Sequence, residues 1–143
     1  MKEKILVSAC LLGTPCRYDG LSRPNLCVIS LKDRYELIPV CPEELGGLKT
    51  PRIPAEIVKD RVITENGQDV TKNYQNGALK ALEIAKAHNI SLAILKSKSP
   101  SCGKGQVYDG TFTKTLTEAN GITVSCLIKN GIKVLSESEL HKI

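Results

Sequence analysis

Three cysteines stand beside proline, glycine or serine, in sequence that favours an exposed, reactive thiol. Cys10 occurs in SACLLGTPC, Cys41 in PVCPEELGG and Cys102 in SPSCGKG. Each is predicted to follow a buried strand, where backbone N–H groups can stabilise a thiolate or donate hydrogen bonds to the sulfides of a cluster. We interpret these three residues as candidate metal ligands.

Two kinds of metal site are compatible with these thiols. Three thiolates can hold an iron–sulfur cluster and leave one iron open as a Lewis acid. Zinc would take four cysteines, with Cys16 as the fourth, or cysteines together with histidines. His88 and His141 are predicted to be surface residues. Spacing alone does not choose between the two metals, and Cys16 is also compatible with a resolving thiol or a structural residue.

The remaining cysteines and the N-terminus bear on the redox environment. Cys27 and Cys126 lie in apolar helical patterns, which predicts buried structural residues. The segment MKEKILVSACLLG has a glutamate among its lysines and only a short apolar run, which favours a buried strand over a signal peptide. We therefore expect a cytoplasmic protein whose thiols are reduced rather than paired in disulfides.

Carboxylate and hydroxyl groups accompany the second and third cysteines. Glu43 and Glu44 follow Cys41, and a carboxylate near a metal can move protons. Glu43 is expected to face the site, because the proline before it stiffens the approach, whereas Glu44 is expected to face solvent. Ser99 and Ser101 precede Cys102 and could donate hydrogen bonds or cap the next turn.

Charged residues near these segments have two interpretations. Arg17 and Asp19 in CRYDG, and Arg52 in TPRIP, could bind a polar ligand. They could equally form ion pairs that tie the loops together. We therefore regard Arg17, Asp19 and Arg52 as candidate substrate-binding residues.

The elements that must position these residues alternate between buried strands and helices. A hairpin is predicted over 56–68 and a loop over 99–113. Strands are predicted over 4–9, 35–41, 91–97 and 132–137, and helices over 22–33, 69–89 and within 116–131. This order predicts one α/β domain over 1–143, with a mostly parallel, Rossmann-like four-stranded sheet and helices on both faces. Ligands bind such sheets beyond the carboxyl ends of the strands, so the three cysteines should converge at that edge.

Composition limits the possible partners. The chain has 143 residues, a formal net charge of +5, 3% aromatic residues and no tryptophan. The basic residues are dispersed and the aromatic residues are few, which argues against a nucleic-acid partner. No apolar run approaches the length of a membrane span. A small molecule is therefore the expected partner.

Several segments together resemble a family of small bacterial and archaeal proteins formerly described only as a domain of unknown function. The studied members of that family are thiouracil desulfidases. The resemblance runs nearly from end to end, and its segments occur in the family's order: SACLLG-x-x-CRYDG, PVCPEELGGL-x-x-PR, LK-x-x-SPSCG, YDG-x-F and GITV.

This resemblance implies a specific chemistry. It implies a [4Fe–4S] cluster on Cys10, Cys41 and Cys102, and non-redox replacement of the C–S bond of a thiolated pyrimidine such as 2-thiouracil by C–O, with release of sulfide. It also implies assisting roles for a glutamate and a serine, carried over to Glu43 and to Ser101, with Ser99 close behind.

Three alternative functions remain open beside the desulfidase interpretation. The first is a structural or carrier protein that binds a metal or cluster without catalysis. The second is a thiol redox enzyme that uses Cys10 and Cys16, which would require a low-pKa thiolate. The third is a binding module for thiolated nucleotides or tRNA, which would bind without releasing sulfide.

Overall fold

The fold consists of a central parallel sheet, two small hairpins and four helices. A computed structural model describes residues 2–143. The strands are β1 Glu3–Ser8, β2 Tyr35–Val40, β3 Ala55–Val58, β4 Arg61–Thr64, β5 Leu92–Leu95, β6 Gln106–Tyr108, β7 Leu116–Glu118 and β8 Lys133–Ser136. The helices are α1 Leu26–Ser30, α2 Pro42–Leu45, α3 Thr71–Ala87 and α4 Ile122–Lys129. Within residues 2–143, no helix has both the length and the apolar character needed to cross a membrane.

The central sheet has the strand order β2–β1–β5–β8, and every neighbouring pair is parallel. This confirms the predicted four-stranded α/β architecture. In the middle of β1, Ile5, Leu6 and Val7 are all fully buried. Consecutive buried residues point to opposite faces of a strand, so both faces of the sheet must be covered.

Helices cover the two faces unequally. On one face, α3 and α4 pack through Leu82 and Leu127 against a core that includes Leu6 and Leu95. On the other, the short helix α1 packs through Val28 against strand residues of the second core, among them Ile5, Val7 and Ile94. Helices therefore lie on both faces, as the alternating sequence pattern predicts.

Helix α2, which carries Glu43, lies unusually close to α3. A Cβ atom on Gly77 of α3 would stand 1.9 Å from the carbonyl oxygen of Pro42, and one on Gly46 would stand 2.0 Å from that of Asn73. Only glycine permits this approach of one backbone to the other. The contact fixes the first turn of α2 against the N-terminal half of α3.

Two element predictions need correction. The helix predicted over 22–33 begins at Leu26, and its cap is Asn25, whose Oδ1 accepts a hydrogen bond of 3.0 Å from the Val28 N–H, rather than Ser22. Extended backbone at Asn25 delays the helix beyond Pro24. The segment 99–113, predicted as loop, contains the three-residue strand β6, which pairs antiparallel with β7. A strand this short has no usable periodicity of its own.

Candidate functional site

A cavity of about 400 Å³ opens at the carboxyl edge of the parallel sheet. The strands β1, β2 and β5 end at Ser8, Val40 and Leu95, and the chain that follows each strand carries at least one thiol to the cavity wall. The structure thus brings together three distant segments of the chain. The cysteines that line the cavity are Cys10, Cys16, Cys41 and Cys102.

The pKa values of three cavity thiols, Cys16, Cys41 and Cys102, are raised, so these thiols stay protonated in the metal-free protein. The Cys16 thiol is hydrogen-bonded to those of Cys10 and Cys41, and the Cys41 Sγ lies 3.7 Å from the Cys16 carbonyl oxygen. The hydrogen bond to Cys10, assisted by burial, raises the pKa of Cys16 to about 11. Burial raises the pKa of Cys102 to about 12. A metal that binds here must therefore displace thiol protons.

The two cysteines predicted to be structural lie away from this cavity. Cys27 is exposed on α1, so its predicted burial is wrong, and Cys126 is half-buried on α4. In α1 the buried residue is Val28, and its neighbour in sequence points to solvent. None of the six cysteines forms a disulfide.

Glu43 is held by two partners that contact the same carboxylate oxygen. Its Oε2 accepts a hydrogen bond of 2.7 Å from the Tyr74 hydroxyl and one of 3.3 Å from Arg52 Nε. Within residues 2–143, Oε1 has no hydrogen-bond partner. Glu43 lines the cavity, whereas Glu44 does not and instead accepts a hydrogen bond from Thr50. The free oxygen of Glu43 is therefore available to a ligand or a water molecule.

Arg52 uses its donors within the protein. Besides Glu43, its guanidinium donates to the carbonyl oxygens of Lys49 at 3.2 Å and Cys16 at 3.0 Å, and to Thr50 Oγ1 at 2.9 Å. The side chain is only 9% exposed. Arg52 thus joins the segment before it to Glu43 and to the Cys16 loop, although it also lines the cavity.

The two serines before Cys102 have different surroundings. Ser101 is fully buried and does not line the cavity, and its hydroxyl pairs with that of Thr123 at 2.7 Å. Ser99 lines the cavity, and its Oγ accepts hydrogen bonds from the N–H groups of Ser101 at 3.0 Å and Cys102 at 3.1 Å. A serine hydroxyl has two lone pairs and one proton. Since both lone pairs of Ser99 are used, its proton is left for a ligand.

Arg17 and Asp19 form an ion pair at the rim of the site. Arg17 Nη1 lies 3.2 Å from Asp19 Oδ2. Asp19 also accepts a hydrogen bond of 3.0 Å from the Leu21 N–H and does not line the cavity. Arg17 does line it, and its buried Nη1 makes no well-directed hydrogen bond within residues 2–143. The Arg17 cation, paired with Asp19, therefore lies beside the same cavity as the thiols.

The number of thiols at the cavity and the size of the cavity suit a large anionic metal group. Across residues 2–143, no three histidine, cysteine, aspartate or glutamate side chains have the arrangement of a mononuclear site. Four thiols line a cavity of about 400 Å³, together with the Arg17 cation. Thiolates are the ligands of iron–sulfur clusters, whose sulfides accept hydrogen bonds. The residues present are compatible with such a cluster.

The chain is similar to known proteins over nearly its whole length. The family model described as 2-thiouracil desulfurase matches residues 5–139. The chain belongs to this family. Its relative YbbK from Bacillus subtilis (strain 168), described as uncharacterised, is 42% identical over 149 residues, which is 97% of this chain and 99% of YbbK. A solved structure of the [4Fe-4S]-dependent thiouracil desulfidase TudS superposes with a TM-score of 0.92 at 45% identity, over 99% of this chain and 95% of that one.

Tyr74 is the site residue of this family member that its sequence did not reveal. In the helical pattern of α3, Tyr74 occupies one of the positions that face the protein interior, and residues at such positions normally belong to the hydrophobic core. A signal was nevertheless present. The other inward residues of the stripe include Gly77, Ala78, Ala81 and Ala85, and a buried tyrosine among such small residues needs a hydrogen-bond partner for its hydroxyl.

Proposed function

We propose that this protein is an iron–sulfur-dependent desulfidase that acts on a thiolated pyrimidine such as 2-thiouracil. The reaction consumes one water, replaces the C–S bond by C–O and releases sulfide, without net oxidation or reduction. The substrate is a small-molecule base, and neither a membrane nor a nucleic acid is required. We place the reaction in the cytoplasm, where the free thiols would stay reduced.

One observation carries the proposal. Four thiols and the partly free carboxylate of Glu43 line the same cavity, at the edge of the sheet where α/β enzymes bind their ligands. Membership of the 2-thiouracil desulfurase family and the similarity to TudS supply the reaction class. A structural metal site would need the thiols but would not need a carboxylate oriented by two partners.

The cluster ligands in this proposal are Cys10, Cys41 and Cys102. When bound, a [4Fe–4S] cluster on three thiolates supplies an iron without a protein ligand, a Lewis acid suited to the soft sulfur of a thione. Cys16 contacts two of the ligands but does not itself ligate in this account, because a fourth thiolate would close the site. Arg17, which lines the cavity, places a positive charge near the anionic group.

Two side chains handle protons and orientation. Glu43 Oε1 accepts a proton from the water that attacks the thiocarbonyl carbon, while Tyr74 and Arg52 hold Oε2 in place. Ser99 donates its hydroxyl proton as a hydrogen bond to the substrate. Between the two candidate serines, exposure to the cavity favours Ser99 over Ser101.

The structure bears on the thiol redox alternative as well. Cys10 and Cys16 are in hydrogen-bond contact, which disulfide chemistry would require. That chemistry also needs a low-pKa thiolate, yet the contact with Cys10 raises the pKa of Cys16 to about 11. The raised pKa argues against Cys16 as the attacking thiolate of such an enzyme.

The test is to purify the protein without oxygen, measure iron and acid-labile sulfide, and follow sulfide release from 2-thiouracil. We expect about four irons per chain and catalytic sulfide release. Serine variants of Cys10, Cys41 and Cys102 should lose both, whereas Cys27→Ser, altered at an exposed thiol off the cavity, is the matched control. A bound cluster without sulfide release would indicate a carrier protein rather than a desulfidase. Absence of iron after reconstitution would exclude the cluster.

A further inference from the structure

The aromatic residues of this chain are concentrated around the candidate site. The sequence contains four tyrosines, one phenylalanine and no tryptophan. Four of these five side chains line the cavity, and only Tyr35 lies elsewhere. The cavity-lining four are Tyr18, Tyr74, Tyr108 and Phe112. With so few aromatic residues available, their concentration around one cavity favours a flat, unsaturated ligand.

The turn between β6 and β7, residues 109–115, supplies part of the cavity lining. Tyr108 ends β6 opposite Leu116, and the Asp109 N–H donates a hydrogen bond of 2.9 Å to the Thr115 carbonyl oxygen. Phe112 lies at the tip of the turn with φ of 58°. A bulky residue rarely adopts this left-handed conformation unless its surroundings impose it.

The buried carboxylate of Glu56 imposes this left-handed conformation on Phe112. Glu56 on β3 is 8% exposed, and its Oε1 accepts hydrogen bonds from the N–H groups of Gly110 at 2.9 Å and Phe112 at 3.1 Å. Within residues 2–143 this carboxylate has no ion-pair partner. A Cβ on Gly110 would stand 2.7 Å from the Ile57 carbonyl oxygen, so the turn lies directly on β3. The turn is therefore fixed to the hairpin beside the cavity and is not a free loop.

We propose that this turn recognises the substrate ring, with Phe112 as a specificity-determining residue that packs on the flat face of the heterocycle and Glu56 as the residue that positions it. This inference rests on the proposed function and assigns the recognition of its planar ring to particular residues, so a flat ring should be preferred to a puckered one in a way that depends on Phe112. Nothing in the proton-transfer role of Glu43 requires such a ring.

The test compares a flat and a puckered ligand on the same iron-loaded protein. Calorimetry gives the Kd of uracil and of 5,6-dihydrouracil, and sulfide release gives kcat/KM for their 2-thio forms. We expect Phe112→Leu to lower the preference for the flat ring about tenfold, because an aromatic contact is worth roughly one decade in affinity. Phe112→Tyr, which keeps the ring, should preserve the preference. Thr117→Ala, on exposed β7 outside the cavity, is the control.

Two substitutions, one conservative and one not, test the positioning role of Glu56. Glu56→Gln keeps an acceptor oxygen for both N–H groups and should preserve the preference for the flat ring, whereas Glu56→Ala should lower it as Phe112→Leu does. In both variants the iron content should equal that of the unaltered protein, which separates positioning from loss of the site.

The outcomes for the inference and for the proposed function are distinct. Sulfide release with an unchanged preference in Phe112→Leu, or equal losses in the leucine and tyrosine variants, would overturn the inference alone. A flat-ring preference that depends on Phe112, without sulfide release from 2-thiouracil, would overturn the proposed function alone. Failure of the unaltered protein both to bind uracil and to release sulfide from 2-thiouracil would overturn both.

Discussion

The Tyr74 hydroxyl donates a 2.7 Å hydrogen bond to Glu43 Oε2, across the contact between α3 and α2. Burial and the neighbouring Glu43 charge raise the pKa of Tyr74, so the phenol remains a donor throughout the working pH range. The same carboxylate oxygen also accepts from Arg52. One oxygen of the carboxylate is thereby fixed and the other is left to the cavity.

Removing this hydroxyl should impair proton transfer without emptying the site. We expect Tyr74→Phe to lower kcat for sulfide release about tenfold, because a hydrogen bond to a charged group is lost, while KM changes little. Iron content should stay that of the unaltered protein. An unchanged kcat would show that Glu43 does not depend on Tyr74.

The two serines before Cys102 should give different phenotypes. Ser99→Ala removes a donor from the cavity wall, and we expect kcat to fall about a hundredfold. It also removes the acceptor of the Ser101 and Cys102 N–H groups, so the free energy of unfolding should fall as well. Ser101→Ala leaves the Thr123 hydroxyl without its partner in the core and should lower the free energy of unfolding by about 1–3 kcal/mol. Steady-state kinetics and urea unfolding, measured on both variants, separate the two effects. A larger loss of kcat in Ser101→Ala would reverse the assignment.

Gly77 should respond to alanine in the direction opposite to an ordinary helical glycine. Replacing glycine by alanine within a helix normally stabilises it by about 1 kcal/mol. Here the added Cβ would meet the Pro42 carbonyl oxygen at 1.9 Å, so we expect Gly77→Ala to destabilise the protein by about 1–3 kcal/mol.

The matched control lies one residue earlier on α3. Asn76 is exposed, and Asn76→Ala should stabilise slightly, by roughly 0.5 kcal/mol, through helix propensity alone. Thermal unfolding of both variants gives the comparison. Stabilisation by Gly77→Ala would mean that α2 can move away from α3 at no cost.

The raised thiol pKa predicts a pH dependence of alkylation in the metal-free protein. Thiolate is the reacting form, and the Cys16 pKa of about 11 keeps the thiol protonated at pH 8. Its labelling rate with iodoacetamide, followed by mass spectrometry, should therefore rise about tenfold per pH unit from pH 8 to pH 10. Exposed Cys27 should be labelled first. A Cys16 rate that levels off near pH 8.5 would show an ordinary thiol.

The sheet and its thiol-bearing edge follow from the sequence for a physical reason. Buried parallel strands are continuous apolar runs, such as KILVSA and SLAILKS, and their carboxyl ends must share one edge. That rule alone places Cys10, Cys41 and Cys102 near one another before any contact is known. The structure places them there.

The finer features depend on contacts between distant segments, which local patterns do not encode. The exposure of Cys27 and the burial of Val28 are decided by how α1 lies on the sheet. The difference between Ser99 and Ser101 depends on which hydroxyl meets Thr123. Strand β6 exists because β7 pairs with it. Each of these outcomes needs the tertiary packing.

The most direct test of the account is to run the reaction in water enriched in oxygen-18. With the iron-loaded protein and no added reductant, 2-thiouracil should yield uracil that carries one oxygen-18 atom, with one sulfide released per uracil, and Glu43→Gln should slow both products equally. Uracil without the label, sulfide that does not match uracil, or a requirement for a reductant would contradict hydrolytic desulfuration at this cavity.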